Sequence, residues 1–240
     1  MSVSVDTVYQ RVLAILNKEQ RGYVTPQEFN LFANQAQMDI FEQYFYDINQ
    51  FGRMHGNDTE FSDMLNILNE KIDIFEVTAA MTYGAGLHWN PPADLYRIGT
   101  LIYNDIEVER INKNEFLYIN ASPLLKPTDA RPIFVSSAAG YKVYGGLIVR
   151  TVGQPATQLI STGVTCNYIK RPATAVWGYN TVSGAAQYNA STSTDFPLHE
   201  SEETELVVKI LEFASLSIRD INLYQVSNQM EAQNTQQEKS

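Results

Sequence analysis

Thr25-Pro26-Gln27-Glu28 limits what this chain can fold into more than any other stretch. Thr25 with Glu28 three residues on is a capping box, and proline stands at the first helical position. The threonine hydroxyl is placed to accept from the Glu28 N–H, and the Glu28 carboxylate from the Thr25 N–H. A long helix is therefore predicted over Pro26–Gln50. Its apolar positions are Phe29, Leu31, Phe32, Ala33, Ala36, Met38, Ile40, Phe41, Tyr44, Phe45 and Ile48. That arc is too wide for a helix with one wet face. Such a helix is either wrapped by its own domain or shared with a neighbouring subunit. On the second alternative the candidate oligomer-interface residues are Phe29, Phe32, Phe41 and Phe45, joined by Leu206, Ile210, Phe213 and Tyr224 from the C-terminal helices.

Around this helix the pattern changes twice. Residues 3–18 carry Val5, Val8, Tyr9, Val12, Leu13, Ile15 and Leu16 at helical spacing. Phe61, Met64, Leu65 and Leu68 predict a short third helix over 61–69. From Ile72 onward β-branched and aromatic residues dominate, and short strands are predicted at 72–78, 95–103, 107–111, 132–135, 141–144, 146–150 and 164–170. Asn104-Asp105 reads as a hairpin turn, and Gly99 as a bulge site. Residues 178–196 read as a polar loop. Helix returns at Ser201, with a second one over 221–230, and the glutamine-rich tail Glu231–Ser240 cannot bury itself. The expected class is α+β. It comprises an N-terminal helical region (1–70), a central antiparallel β-sandwich or barrel (71–198), and C-terminal helices with a polar tail (199–240) packing with the first region.

Charge narrows the function. The net of −10 is uneven: residues 1–90 carry 5 basic and 12 acidic groups, 91–198 carry 9 and 7, and 199–240 carry 3 and 8. An acidic chain does not attract phosphate backbones, which argues against a sequence-reading nucleic-acid binder. A surface that DNA slides past without sticking is acidic as well. No run approaches eighteen apolar residues, so no membrane span is expected.

Catalytic and metal patterns are incomplete. Asn17–Glu28 imitates a calcium loop, but Arg21 puts a cation where an oxygen ligand belongs. His199-Glu200 lacks the second histidine of a zinc-protease helix, since Glu203 stands there. His55, His88 and His199 are scattered, and Cys166 lies within an alternating strand as a small apolar residue would. Asp105, Glu107 and Glu109 alternate as on an exposed strand face. Trp89 and Trp177 are candidates for a sugar-stacking platform, against which core or interface packing is the preferred reading. No catalytic residue, cofactor site or metal site is expected, and the chain reads as a non-enzyme. A carbohydrate- or receptor-binding β-module is the alternative function.

Several stretches carry a family resemblance: Gly22–Asn30, Pro92–Ile98, Ser122–Thr128, Pro132–Val135, Tyr168–Pro172 with Trp177, Phe196–Glu200, and the glutamine-rich end. In this order, and with helices before and after the sheet, the chain resembles the head-to-tail connector or adaptor proteins of short-tailed bacteriophages, of the crAss-like and marine type. The resemblance implies a dodecameric ring of identical copies below the portal, in the neck or tail of the virion, assembled in the host cytoplasm. It implies contacts with the portal and neighbouring ring proteins, passage of double-stranded DNA through the lumen without specific binding, and no membrane. The β-region is larger than in the smallest adaptors, which keeps a tail-barrel component open.

Overall fold

The structure is a computed structural model that describes residues 2–18, 24–51, 59–84, 86–122, 124–145, 159–218 and 229–230. In chain order its elements are α1 (Val5–Lys18), α2 (Pro26–Phe51), α3 (Thr59–Asp73), β1 (Glu76–Ala80), β2 (Thr82–Gly84), β3 (His88–Asn90), β4 (Leu95–Tyr103), β5 (Ile106–Arg110), α4 (Lys113–Ala121), β6 (Ile133–Ser137), β7 (Gly140–Tyr144), β8 (Val164–Lys170), β9 (Tyr179–Val182), β10 (Ala185–Tyr188) and α5 (Glu203–Ile218). They form two units, one from Met1–Ile74 with Pro172–Ser240, the other from Phe75–Arg171. The class is α+β, as the sequence predicts.

The second unit is an eight-stranded, mostly antiparallel sheet in the order β1-β8-β4-β5-β6-β7-β3-β2. Its two end strands, β1 and β2, are consecutive in the chain with Met81 alone between them. The edges therefore meet, and the sheet is nearly closed and barrel-like. Closure removes open edges, which otherwise invite pairing with other chains. The Met81 N–H donates to the Val164 carbonyl at 3.1 Å, carrying the β1–β8 ladder one residue past β1. Asn104 and Asp105 both adopt left-handed φ, which makes the β4–β5 connection the two-residue turn expected. The β4–β8 register shifts between Ile98 and Leu101, where a Cβ on Gly99 would lie 3.0 Å from the Asn167 carbonyl oxygen. One pair, β5 with β6, is parallel. A parallel pair needs a crossover, and the segment containing α4 supplies it. Trp89, Leu101, Val108, Phe134, Val143 and Cys166 fill the interior, while Phe116 and Ile119 seat α4 on Ile111, Ile133 and Tyr144.

In the first unit α2 packs against α3 and α5, and α1 against α5. The capping box forms as read: Thr25 N–H donates to the Glu28 carboxylate at 2.9 Å, and Glu28 N–H to the Thr25 hydroxyl at 3.3 Å. Along α2, Asn30, Asn34 and Gln37 hold the extended segment 173–177. Trp177 N–H donates to Asn30 Oδ1 at 2.8 Å, and Ala175 N–H to Asn34 Oδ1 at 2.9 Å. Asn34 Nδ2 donates to Ala175 O at 2.8 Å, and Gln37 Nε2 to Ala173 O at 2.9 Å. Seven helical residues rise about 10 Å, and four extended residues span about 13 Å, so amides one turn apart meet every second residue of the strand.

Three expectations need correction. Ile72 and Asp73 belong to α3, and a turn at Ile74-Phe75 separates it from Glu76, where the sheet opens. Residues 178–196 are not a loop: β9 and β10 form a hairpin turning at Ser183-Gly184, both in left-handed φ, followed by a helical turn at Ala190–Thr192. Residues 172–198 pack in the helical unit instead of the β-domain, because the α2 amides bind 173–177 and Val3 bridges Phe196. An unpredicted helix, α4, follows Asn112 with Glu115 three positions on, a capping pattern visible in the sequence although Asn112 makes no side-chain cap bond. The predicted strand 146–150 lies outside the described residues, as do the tail and all but the last two residues of the helix predicted over 221–230.

Candidate functional site

Of the eight candidate interface residues, Phe29, Phe41, Leu206 and Ile210 are interior to the structure, so they are corrected from surface to core. Tyr9 meets Phe29 edge-on at 4.8 Å between ring centroids, and Phe41 meets Phe45 at 5.1 Å. The wide apolar arc of α2 is thus largely covered by its own unit, because α3, α5 and the extended segment take different sectors of it. Phe32, Phe45 and Phe213 are half-buried, and Tyr224 lies outside the described residues.

Several of the candidates for chemistry occupy structural positions. Both tryptophans are buried: Trp89 Nε1 donates to Ile160 O at 2.8 Å in the barrel, and Trp177 Nε1 to the Asp6 carboxylate at 2.9 Å in the helical unit. Tyr9 and Tyr179 lie against Trp177 at 4.1 and 5.8 Å, so neither ring face is open to a sugar. Cys166 faces the barrel interior, where burial raises its thiol pKa and leaves it protonated and unreactive at neutral pH. Burial, followed by the Asp94 carboxylate that accepts its hydroxyl, likewise raises Tyr168. His199 Nδ1 accepts from the Ser201 N–H at 3.3 Å and caps a helical turn. Asp105 occupies the β4–β5 turn, while Glu107 and Glu109 stand exposed. His55 is outside the described residues, and among the described residues no group of three potential ligands could hold a metal ion. No helix among them is long and apolar enough to cross a membrane.

One depression, about 510 Å³, lies where α4 starts, lined by Ile111, Asn112, Lys113, Asn114, Glu115, Val135 and Ser136. It is open, and Lys113 and Glu115 are both exposed, so no group there is withdrawn from water as an acid–base catalyst is.

What the two units leave uncovered is apolar side chain. On α2, Leu31 is 71% exposed and Tyr46 63%. At about 3.6 residues per turn these two share one stripe with Gln35, Glu42 and Asn49. On and just past α4, Tyr118 is 78% exposed, Leu124 89%, Leu125 59% and Leu117 55%. Four exposed apolar residues within nine positions exceed the scattered single residues normal on a surface. Sequence reasoning placed Leu31 on α2 without singling it out and had no helix on which to place Leu117 and Tyr118. The capping pattern at Asn112 and Glu115 was the signal for that helix. The units also differ in charge: the helical one carries 8 basic and 20 acidic residues, a net of −12, and the β-unit 9 and 7, a net of +2. No family model matches the chain, and no curated protein sequence matches it.

Proposed function

We propose that this chain is a non-enzymatic ring subunit of a phage neck or tail, joining the portal to the tail and surrounding the DNA channel. The observation that carries the assembly reading is the pairing of exposed apolar surface with opposite charge on two unlike units. A subunit with two dissimilar sticky faces associates head to tail, and head-to-tail contacts close into rings when the rotation per step divides a full turn. The acidic helical unit suits a channel wall, since carboxylates within a Debye length of about 8 Å repel passing phosphates. The place in the virion, the portal and neighbouring rings as partners, and the dodecameric count rest on the sequence resemblance.

The test is sedimentation velocity and negative-stain imaging of the purified chain, alone and with assembled portal rings added as a template. Closed rings, or rings seated on the portal, are expected. A chain that stays monomeric and unbound in both conditions overturns the reading.

A further inference from the structure

We propose that the apolar surface of α4 and Leu124-Leu125 docks on the outward stripe of α2 in a second copy of this chain. This rests on the ring reading above and deepens it by naming the two faces. Tyr118, Leu117, Leu124 and Leu125, exposed within nine positions of the chain, make up the proposed first face, and Lys113 and Lys126, four residues before Leu117 and next to Leu125 in sequence, are exposed cations. Leu31 and Tyr46 stud the second, with Glu42 between them along the helix and Asp39 at the stripe's margin. The α2 face carries carboxylates alone, while the α4 face carries two exposed cations and one exposed carboxylate, Glu115, three residues before Tyr118, so the two faces are opposite in net charge. The same opposition holds at the scale of the units, −12 against +2. Opposite charge selects the partner and fixes the orientation, while the buried apolar anchors supply most of the affinity. A contact of α2 on α2 would bring carboxylates together, and one of α4 on α4 would set two faces of net positive charge against each other. The charge pattern therefore favours a heterologous contact between copies.

Two charge-reversed proteins test this. One carries Lys113→Glu and Lys126→Glu, the other Asp39→Lys and Glu42→Lys. All four positions lie on helix or loop surface, and unchanged circular dichroism and melting verify that each variant folds. Each alone is expected to associate at least about tenfold more weakly than the wild type at low salt. An equimolar mixture is expected to restore assembly, because copies alternating around a ring place a reversed α4 face against a reversed α2 face at every second contact and leave the native pair at the others. A second measurement avoids the charges: bismaleimide cross-linking of a mixture of Leu117→Cys and Tyr46→Cys single variants, in which Cys166 is buried. A cross-linked heterodimer, with none in either variant alone, supports the contact. Variants that assemble as the wild type does, or reversals that the mixture fails to rescue while the wild type forms rings, overturn this contact and leave the ring reading standing. A wild type that never associates, with or without portal, overturns both.

Discussion

The two units solve burial in different ways. Every buried polar or charged residue identified among the described residues (Gln37, Asp47, Glu202, Lys209 and Ser215) belongs to the helical unit, and none to the barrel. A nearly closed sheet satisfies its backbone through the strand ladder, so its interior can be filled with aliphatic, aromatic and sulfur-bearing side chains. Helices satisfy their backbones internally, which leaves their mutual placement, and that of an irregular segment beside them, to side chains. In the helical unit this falls to the α2 amides and to an ion pair. Lys71 Nζ lies 2.6 Å from Glu202 Oε1 and over the Tyr44 ring at 5.6 Å, while Ser201 Oγ donates to the same carboxylate oxygen at 3.0 Å. The barrel is held by volume and the helical unit by specific polar contacts.

Each unit contains one tryptophan, Trp89 in the barrel and Trp177 among the helices. Denaturation of Trp177→Phe and Trp89→Phe backgrounds, followed by fluorescence, therefore reads the two units separately. The largest expected effect is in the barrel. Leu101 faces Val108 on one side and Cys166 on the other, fully buried, and Leu101→Ala should cost about 4 kcal/mol on the Trp89 signal. The same variant should speed labelling of Cys166 by a thiol reagent. A barrel unmoved by it would not be held by packed volume. Glu202→Gln comes next, at about 3 kcal/mol on the Trp177 signal, because the Lys71 charge loses its partner. If only the Trp89 signal shifts, the polar account of the helical unit fails. Asn34→Ala should cost about 2 kcal/mol, again on Trp177, since both backbone groups of Ala175 lose their partner. An Asn34→Ala protein as stable as the wild type would show that the ladder is incidental.

The smallest effect is at the entry to α2, where Thr25→Ala should cost about 1 kcal/mol. The backbone bond from Thr25, and then its hydroxyl, lower the Glu28 pKa from its ordinary value of 4.5. A carboxylate with a depressed folded pKa stabilises fully above its unfolded value and loses that contribution as pH falls through the folded one. The difference in stability between wild type and Thr25→Ala should hold steady from neutral pH to about 5 and shrink below 4.5. A difference independent of pH across that interval would break the assignment of the cap to Glu28.

Sequence alone settled what depends on neighbours a few residues apart. Thr25, Pro26 and Glu28 fixed where α2 begins. The β4 and β8 limits were readable from alternation, and Asn104-Asp105 marked the turn between β4 and β5. Each rests on local backbone preference or side-chain spacing. The candidate site was much less legible. Phe29 and Phe41 have the same hydrophobicity whether a sibling copy or α5 covers them, and only the packed structure shows that their own unit does. Leu117 and Tyr118 became visible as surface once Phe116 and Ile119 were seen to take the inward side of α4. Tertiary structure decided that β1 and β2 join the sheet's ends across Met81, and that 172–198 folds with the helices. It also decided that, among the described residues, the buried polar side chains lie in the helical unit. Those outcomes depend on contacts between residues as far apart as Asn30 and Trp177, and one-dimensional spacing carries no record of which distant partner reaches a surface first.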